Sequence, residues 1–282
     1  MSGPGGAAFG SEWSATLRRG SDAELRAWLD VALAACDDAD AIARGQFRRD
    51  LHVETKPDRS FVTEADRAVE RSIRERLTAA FPDHGLVGEE YGTEAGDASV
   101  RWYIDPIDGT HNFIRGVPVF GTLLAVERDG ELQASVMSAP ALHERWWAWR
   151  GGGAWVRHGD AAPERIRVSG IRDVASAQVL YGSSRDLQAS GKAPGFTGLL
   201  QDAWRERGFG EFWSYGLLAE GAAEAVVEVG LSAWDTAALV VVVEEAGGRI
   251  SDFEGHRTLD SGTFLASNGH LHEVVLERLL RR

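Results

Sequence analysis

One cysteine, Cys36, stands in a chain of 282 residues. Without a second thiol there is no disulfide framework and no thiolate metal cluster, and a reducing cytoplasm suits such a chain. Basic residues are also few: 30 lysines and arginines face 43 aspartates and glutamates, a net charge of −13. A protein that grips a nucleic-acid backbone wants a basic stripe, so that class of partner is set aside. The acidity is no obstacle to a phosphate ester, because bound divalent cations reverse the local field. No run of about eighteen apolar residues is present to span a bilayer. The opening run M-S-G-P-G-G-A-A-F-G-S-E lacks the basic start and apolar core of a secretion signal. A soluble cytoplasmic protein is expected, with a flexible tail over 1–20 and one domain over 21–282. That domain divides into lobes of about 21–158 and 159–282, with no internal repeat.

What is present reads as alternating helix and strand. Ser21 and Glu24 form a capping box for a helix to about Arg44, with Leu25, Trp28, Leu29, Ala32 and Leu33 on one face. A strand near Leu51 to Thr55 and a turn at Lys56-Pro57-Asp58 follow, and Thr63 caps a second helix that stops before Pro82. Phe120 to Arg128 and Leu132 to Ser138 read as strands joined at Asp129-Gly130, continued by Arg145 to Trp149 and Ala154 to Arg157. The second half places helices at about Gly195 to Arg207 and Tyr215 to Glu224 and a strand at Ala225 to Val229. Trp234-Asp235 opens a helix through Ala246 that Gly247-Gly248 closes. Layers of helix and sheet are the expected architecture.

The run W-Y-I-D-P-I-D-G-T-H-N-F, from Trp102 to Phe113, is the most informative segment. A strand from Val100 to Ile104 delivers Asp105, and Pro106, lacking an N–H, should end the pairing there. Asp108 follows three residues on, then Gly109 with no side chain to obstruct a ligand, then Thr110 at a helix start. Two carboxylates and the carbonyl between them, beside free helix-start N–H groups, suit a hard divalent cation holding a phosphate. The other reading of these residues is an Asx-type turn whose aspartates only cap. Four further acidic positions join them: Glu89 after an apolar run, Asp66 in the first turns of a helix, Glu228 at a strand end, and Asp235 at a helix start. Taken singly, each is as ordinary as any surface carboxylate or cap.

D-P-I-D-G-T, preceded by G-E-E and followed by W-D-x-A-A-x-x-x-x-x-E-E-A-G-G, resembles the inositol monophosphatase family of Mg²⁺-dependent, lithium-sensitive phosphatases. The segment K-P-D-R-S-F-V-T-E-A-D, with Lys56 and Asp66, has the same look, and the likeness runs from about Lys56 to Asn268. The resemblance implies an α/β layered fold, an alternating αβαβα sandwich of the inositol monophosphatase and fructose-1,6-bisphosphatase type. It implies two or three Mg²⁺ ions held by the carboxylates of Glu89, Asp105, Asp108 and Asp235 and the carbonyl of Ile107. It implies that Asp66, Thr110 and Glu89 orient and deprotonate the attacking water, that the Gly109 and Thr110 N–H groups hold phosphate, and that Glu228 meets the alcohol part of the substrate. It implies direct attack without a phosphoenzyme, and, the family being commonly dimeric, a homodimer is expected.

The block from Gly208 to Asp235 is similar to the histidinol-phosphate phosphatase branch, of actinobacterial type. His111 departs from it, because a basic residue is more usual there, and is read as exposed first-turn helix. Histidinol phosphate offers an ammonium for Glu228 and an imidazole for an aromatic such as Trp213, Tyr215 or Trp234, each of which also suits core packing. An inositol-1-phosphatase, a broad sugar-phosphate phosphatase and a non-catalytic regulatory protein of the same fold are the alternatives.

Overall fold

A computed structural model describes residues 20–49, 53–55 and 61–281. The tail over 1–19, Leu51 and the turn at Lys56-Pro57-Asp58 lie outside the described residues. Chain order begins with α1 (Asp22–Gln46), β1 (Val53–Thr55), β2 (Phe61–Thr63) and α2 (Glu64–Ala80). Next come β3 (His84–Gly88), β4 (Gly92–Glu94) and β5 (Asp97–Asp108), then the short α3 (Thr110–Arg115). Strands β6 (Gly121–Arg128), β7 (Glu131–Ala139), β8 (Glu144–Trp149), β9 (Gly153–His158) and β10 (Glu164–Ile166) complete the first half. The second holds β11 (Gln178–Tyr181), α4 (Ser184–Ser190), α5 (Phe196–Asp202), β12 (Arg205–Arg207) and α6 (Glu211–Ala219). It closes with β13 (Ala225–Val229), α7 (Ala233–Glu245), β14 (Arg249–Ser251), β15 (Thr263–Ser267) and α8 (His272–Leu280).

Eight strands form one sheet in the order β10-β9-β8-β7-β6-β5-β3-β4, antiparallel except where β3 runs parallel to β5. Five form a second, β12-β11-β13-β15-β14, with β11 parallel to both neighbours. Period-two alternation sorts side chains into layers. On β5 and β6, Trp102, Ile104, Leu124 and Val126 pack with α1 and α2. Tyr103, Leu123 and Ala125 face the other way, into a core with Tyr215 and Leu218 of α6 and Ala237 to Val243 of α7. The far side of that core is Leu180, Val226 and Phe264 of the second sheet. Val179, Val227 and Leu265 then pack outward with α4, α5 and α8. The expected αβαβα layering is therefore present. Buried residues follow one another without a break from Thr236 to Val243 because α7 lies between two sheets and has no wet face.

Three expected boundaries are corrected. The helix expected over Gly195 to Arg207 ends at Asp202, since Arg205 to Arg207 pair with β11 as an edge strand. The helix expected from Tyr215 to Glu224 begins at Glu211, after Gly210, and ends at Ala219, where Gly221 turns the chain with φ +79°. Pro106 does not end β5. Pairing resumes at Asp108 opposite Gly121, with the register broken between Asp105 and Asp108. The missing N–H costs register rather than the strand, and the Pro106 carbonyl still accepts from Thr122 Oγ1 at 2.9 Å. Among the described residues no helix is long and apolar enough to cross a membrane.

Candidate active site

The broken register of β5 is what shapes the corner. Asp105 follows Tyr103 by two and shares its face, toward the central helices. Ile107 sends its side chain into the α1 and α2 core, 1% exposed. Asp108 is met from across the layer by α6, whose Phe212 N–H donates to Asp108 Oδ2 at 2.7 Å. Glycine at 121, the strand partner of Asp108, permits this approach: a Cβ there would stand 2.9 Å from the Phe212 ring.

Gly109 adopts φ +80° as the residue before α3, and a Cβ on it would lie 3.0 Å from the Val119 carbonyl and 3.2 Å from Glu211 Cγ. Only glycine suits both the dihedral and the space. Thr110 begins α3, and its single hydroxyl proton lies between Asp66 Oδ1 at 3.2 Å and the Ile107 carbonyl at 3.0 Å. Asp66 is fully buried and does two jobs. Its Oδ2 accepts the Thr63 N–H at 2.8 Å, closing the capping box of α2, while Oδ1 faces Thr110. The cap and the site are one carboxylate.

Asp235 is likewise the third residue of α7, accepting the Ser232 N–H at 2.6 Å in a second capping box. Its carboxyl also lies close enough to that of Asp105 for each to shift the other's pKa. Burial, then Glu89, Asp108, Asp235 and Asp66 in turn, push the Asp105 carboxyl well above the ordinary range. Burial and Glu211 do the same to Asp108, against the pull of the Phe212 N–H. Burial raises Asp66, lifts Asp235 to about 6 and lifts Glu228 to about 8. Glu228 accepts the Tyr215 hydroxyl at 2.6 Å. All five carboxylates singled out in the sequence besides Asp105 therefore feel one another or Asp105 itself.

A carboxyl whose pKa rises on folding holds its proton more tightly when folded. Its contribution favours folding below the unfolded value and is lost as pH climbs through the folded one. The windows are 3.8 to about 6 for Asp235 and 4.5 to about 8 for Glu228. In a chelator, the protein is expected to melt several degrees lower at pH 8 than at pH 6, and added Mg²⁺ to reverse the loss. A melting temperature that is flat over that span in chelator would contradict the buried cluster.

A divalent cation fits this donor set. Asp105 Oδ1 is buried with no hydrogen-bond partner, and such an orphan acceptor calls for a partner. Among the described residues no three His, Cys, Asp or Glu side chains close into a metal cage. Mg²⁺ does not ask for one, since it keeps several waters and takes one or two carboxylates at a time.

Sequence reasoning missed Glu211. It begins α6 at φ +55°, a backbone region a non-glycine residue seldom holds. Its Oε1 accepts from Asn112 Nδ2 at 3.2 Å, and burial raises its pKa. The only signal was a glutamate after G-F-G, and its meaning depends on α6 docking over Gly109. Of the aromatics considered, Tyr215 is fully buried and spends its hydroxyl on Glu228, so it packs as core. Trp213 donates to Glu144 Oε2 at 3.3 Å and contacts Phe209, with ring centroids 5.1 Å apart. His111 is exposed as expected, edge-on to Phe61.

Residues 24–281 match the model of the inositol monophosphatase family. The histidinol-phosphatase of Mycobacterium tuberculosis is 44% identical over 252 residues, 89% of this chain and 97% of its own length. That of Streptomyces coelicolor is 42% identical over 259 residues, 90% of this chain and 97% of its own length. Among solved structures, the IMPase of Thermotoga maritima superposes with a TM-score of 0.80 at 32% identity, covering 89% of this chain and 96% of that one.

Proposed function

The chain belongs to the inositol monophosphatase family, and from that premise we propose that it is a magnesium-dependent histidinol-phosphatase of histidine biosynthesis. It is a phosphoric monoester hydrolase, releasing phosphate and L-histidinol from L-histidinol phosphate and water. The observation that carries the metal part of this reading is the orphaned Asp105 oxygen amid carboxylates that raise one another's pKa.

Glu89, Asp105, Asp108 and Asp235 would hold Mg²⁺ by carboxylate and Ile107 by its carbonyl, with two or three ions per site. When bound, the ions supply a nucleophile at neutral pH and neutralise charge on the phosphoryl and leaving oxygens. The chain's own groups do the rest. Asp66 fixes the Thr110 hydroxyl, and that pair, with Glu89, orients the attacking water and accepts its proton. The Gly109 and Thr110 N–H groups hold phosphate oxygens at the start of α3.

The histidinol-phosphatase relatives support this ester, and charge agrees with it. Glu211 packs over Gly109, and Glu228 lies within its field. A substrate that brings its own ammonium turns these carboxylates into a grip. Glu228→Gln is expected to raise KM for histidinol phosphate by roughly tenfold to a hundredfold, the loss of one charge-assisted contact, with kcat within a few-fold. An unchanged KM would remove the assigned contact.

Phosphate release from histidinol phosphate, inositol 1-phosphate and fructose 1,6-bisphosphate, each across a Mg²⁺ titration, tests the whole reading. Selective Mg²⁺-dependent hydrolysis of the first is expected. Preference for an inositol ester would overturn the substrate, and release that is indifferent to Mg²⁺, or none at all, would overturn the enzyme. A cytoplasmic homodimer belongs to the same reading; a monomer at micromolar concentration in sedimentation would contradict that part.

A further inference from the structure

Glu70 is fully buried on α2, one helical turn beyond Asp66, and has no part in the chemistry above. Its carboxylate points at the end of β3. Oε2 accepts the Glu90 N–H at 2.7 Å and Oε1 accepts the Tyr91 N–H at 3.2 Å. Arg74 Nε donates to Oε1 at 2.8 Å. The same guanidinium donates to the Gly92 carbonyl and lies over the Tyr91 ring, 5.8 Å from its centroid. On the other flank a Cβ at Gly88 would stand 2.0 Å from Glu70 Oε1, so β3 reaches Glu70 only with glycine there.

Glu89 lies between these contacts. Gly88 is pressed against Glu70, the Glu90 and Tyr91 amides are bound to it, and the Glu89 N–H is tied to the Ile104 carbonyl at 3.2 Å. A turn at a strand end has water to satisfy its amides, and a packed helix needs no buried charge. A sequestered carboxylate is costly unless paired and hydrogen-bonded. We propose that Glu70 is a positioning residue that fixes the backbone of Glu89 and so aims its carboxylate at the cation. Helix α2 then aligns two sides of the centre from successive turns, Thr110 through Asp66 and Glu89 through Glu70. This rests on the Mg²⁺ reading of the site.

Glu70→Gln keeps the volume and replaces one acceptor with a donor. It is expected to raise the Mg²⁺ concentration for half-maximal activity by about tenfold, the usual effect of removing a group that orients a ligand. At saturating Mg²⁺, kcat should stay within about threefold, and the rise in melting temperature on adding Mg²⁺ should shrink at fixed concentration. Val69→Ala, next to it in the core and away from the turn, serves as control: it lowers the melting temperature and leaves the Mg²⁺ midpoint alone. A Glu70→Gln protein that behaves like Val69→Ala overturns the proposal. Should Glu70→Gln not fold, Arg74→Lys keeps a cation for Glu70 but loses the fork to Gly92; a midpoint raised at least threefold supports the proposal and an unchanged one overturns it. Wild-type protein with no Mg²⁺ response would instead sink the metal reading itself, so the two failures are distinguishable.

Discussion

Asp108→Asn is expected to lower kcat by roughly a thousandfold, about 4 kcal/mol of transition-state stabilisation, while leaving the chelated protein as stable as before or more so. The amide is neutral and a poor ligand for a hard cation, so the cost falls on chemistry. It keeps a carbonyl for the Phe212 N–H, now bonded at 2.7 Å. It also removes one ionisable group from a buried cluster in which Glu211, Asp235 and Glu228 all push the Asp108 pKa upward. Relief of that repulsion opposes any loss of packing. Turnover by Asp108→Asn beside a calorimetric scan in chelator separates this account from one in which the aspartates only cap a turn. On the capping account the melting temperature would fall steeply while activity survived in the folded fraction.

Thr110→Ala is expected to lower kcat about a hundredfold, the span a positioned proton-transfer group contributes, with little change in KM. Thr110→Ser should recover most of it, because the hydroxyl is retained. The informative companion is Asp66→Asn. Asp66 also closes the capping box of α2 through Thr63, so its substitution costs stability as well as rate, whereas Thr110→Ala costs rate alone. If the two act as one unit, the double variant turns over little more slowly than Thr110→Ala by itself. Additive losses would show that Asp66 serves the helix and not the hydroxyl.

What the sequence made legible was whatever is local. D-P-I-D-G-T packs two carboxylates, a carbonyl and an unobstructing glycine into six residues, and Trp234-Asp235 sets an acid at a helix start. Both can be read without knowing what lies opposite. Glu70 and Glu211 could not be read so. Glu70 sits on a helix face where a glutamate four before an arginine suggests a solvent-side pair, yet burial beneath β3 turns it toward backbone amides. Glu211 needs α6 to begin earlier than its apolar pattern suggests and to dock against Gly121. Misplaced ends had the same origin. Arg205 to Arg207 continue a polar helical pattern, and only the open edge of β11 makes them a strand. The Pro106 rule failed because an adjacent strand of good register, β6, takes up pairing again beyond the gap.

Anomalous scattering from crystals grown with Mn²⁺ in place of Mg²⁺ would locate the cations directly. Peaks within coordinating distance of Asp105, Asp108 and the Ile107 carbonyl, one of them shared with Glu89 and another reaching Asp235, are the expected result. Peaks elsewhere on the protein, with none at this corner in crystals that hydrolyse substrate, would contradict it.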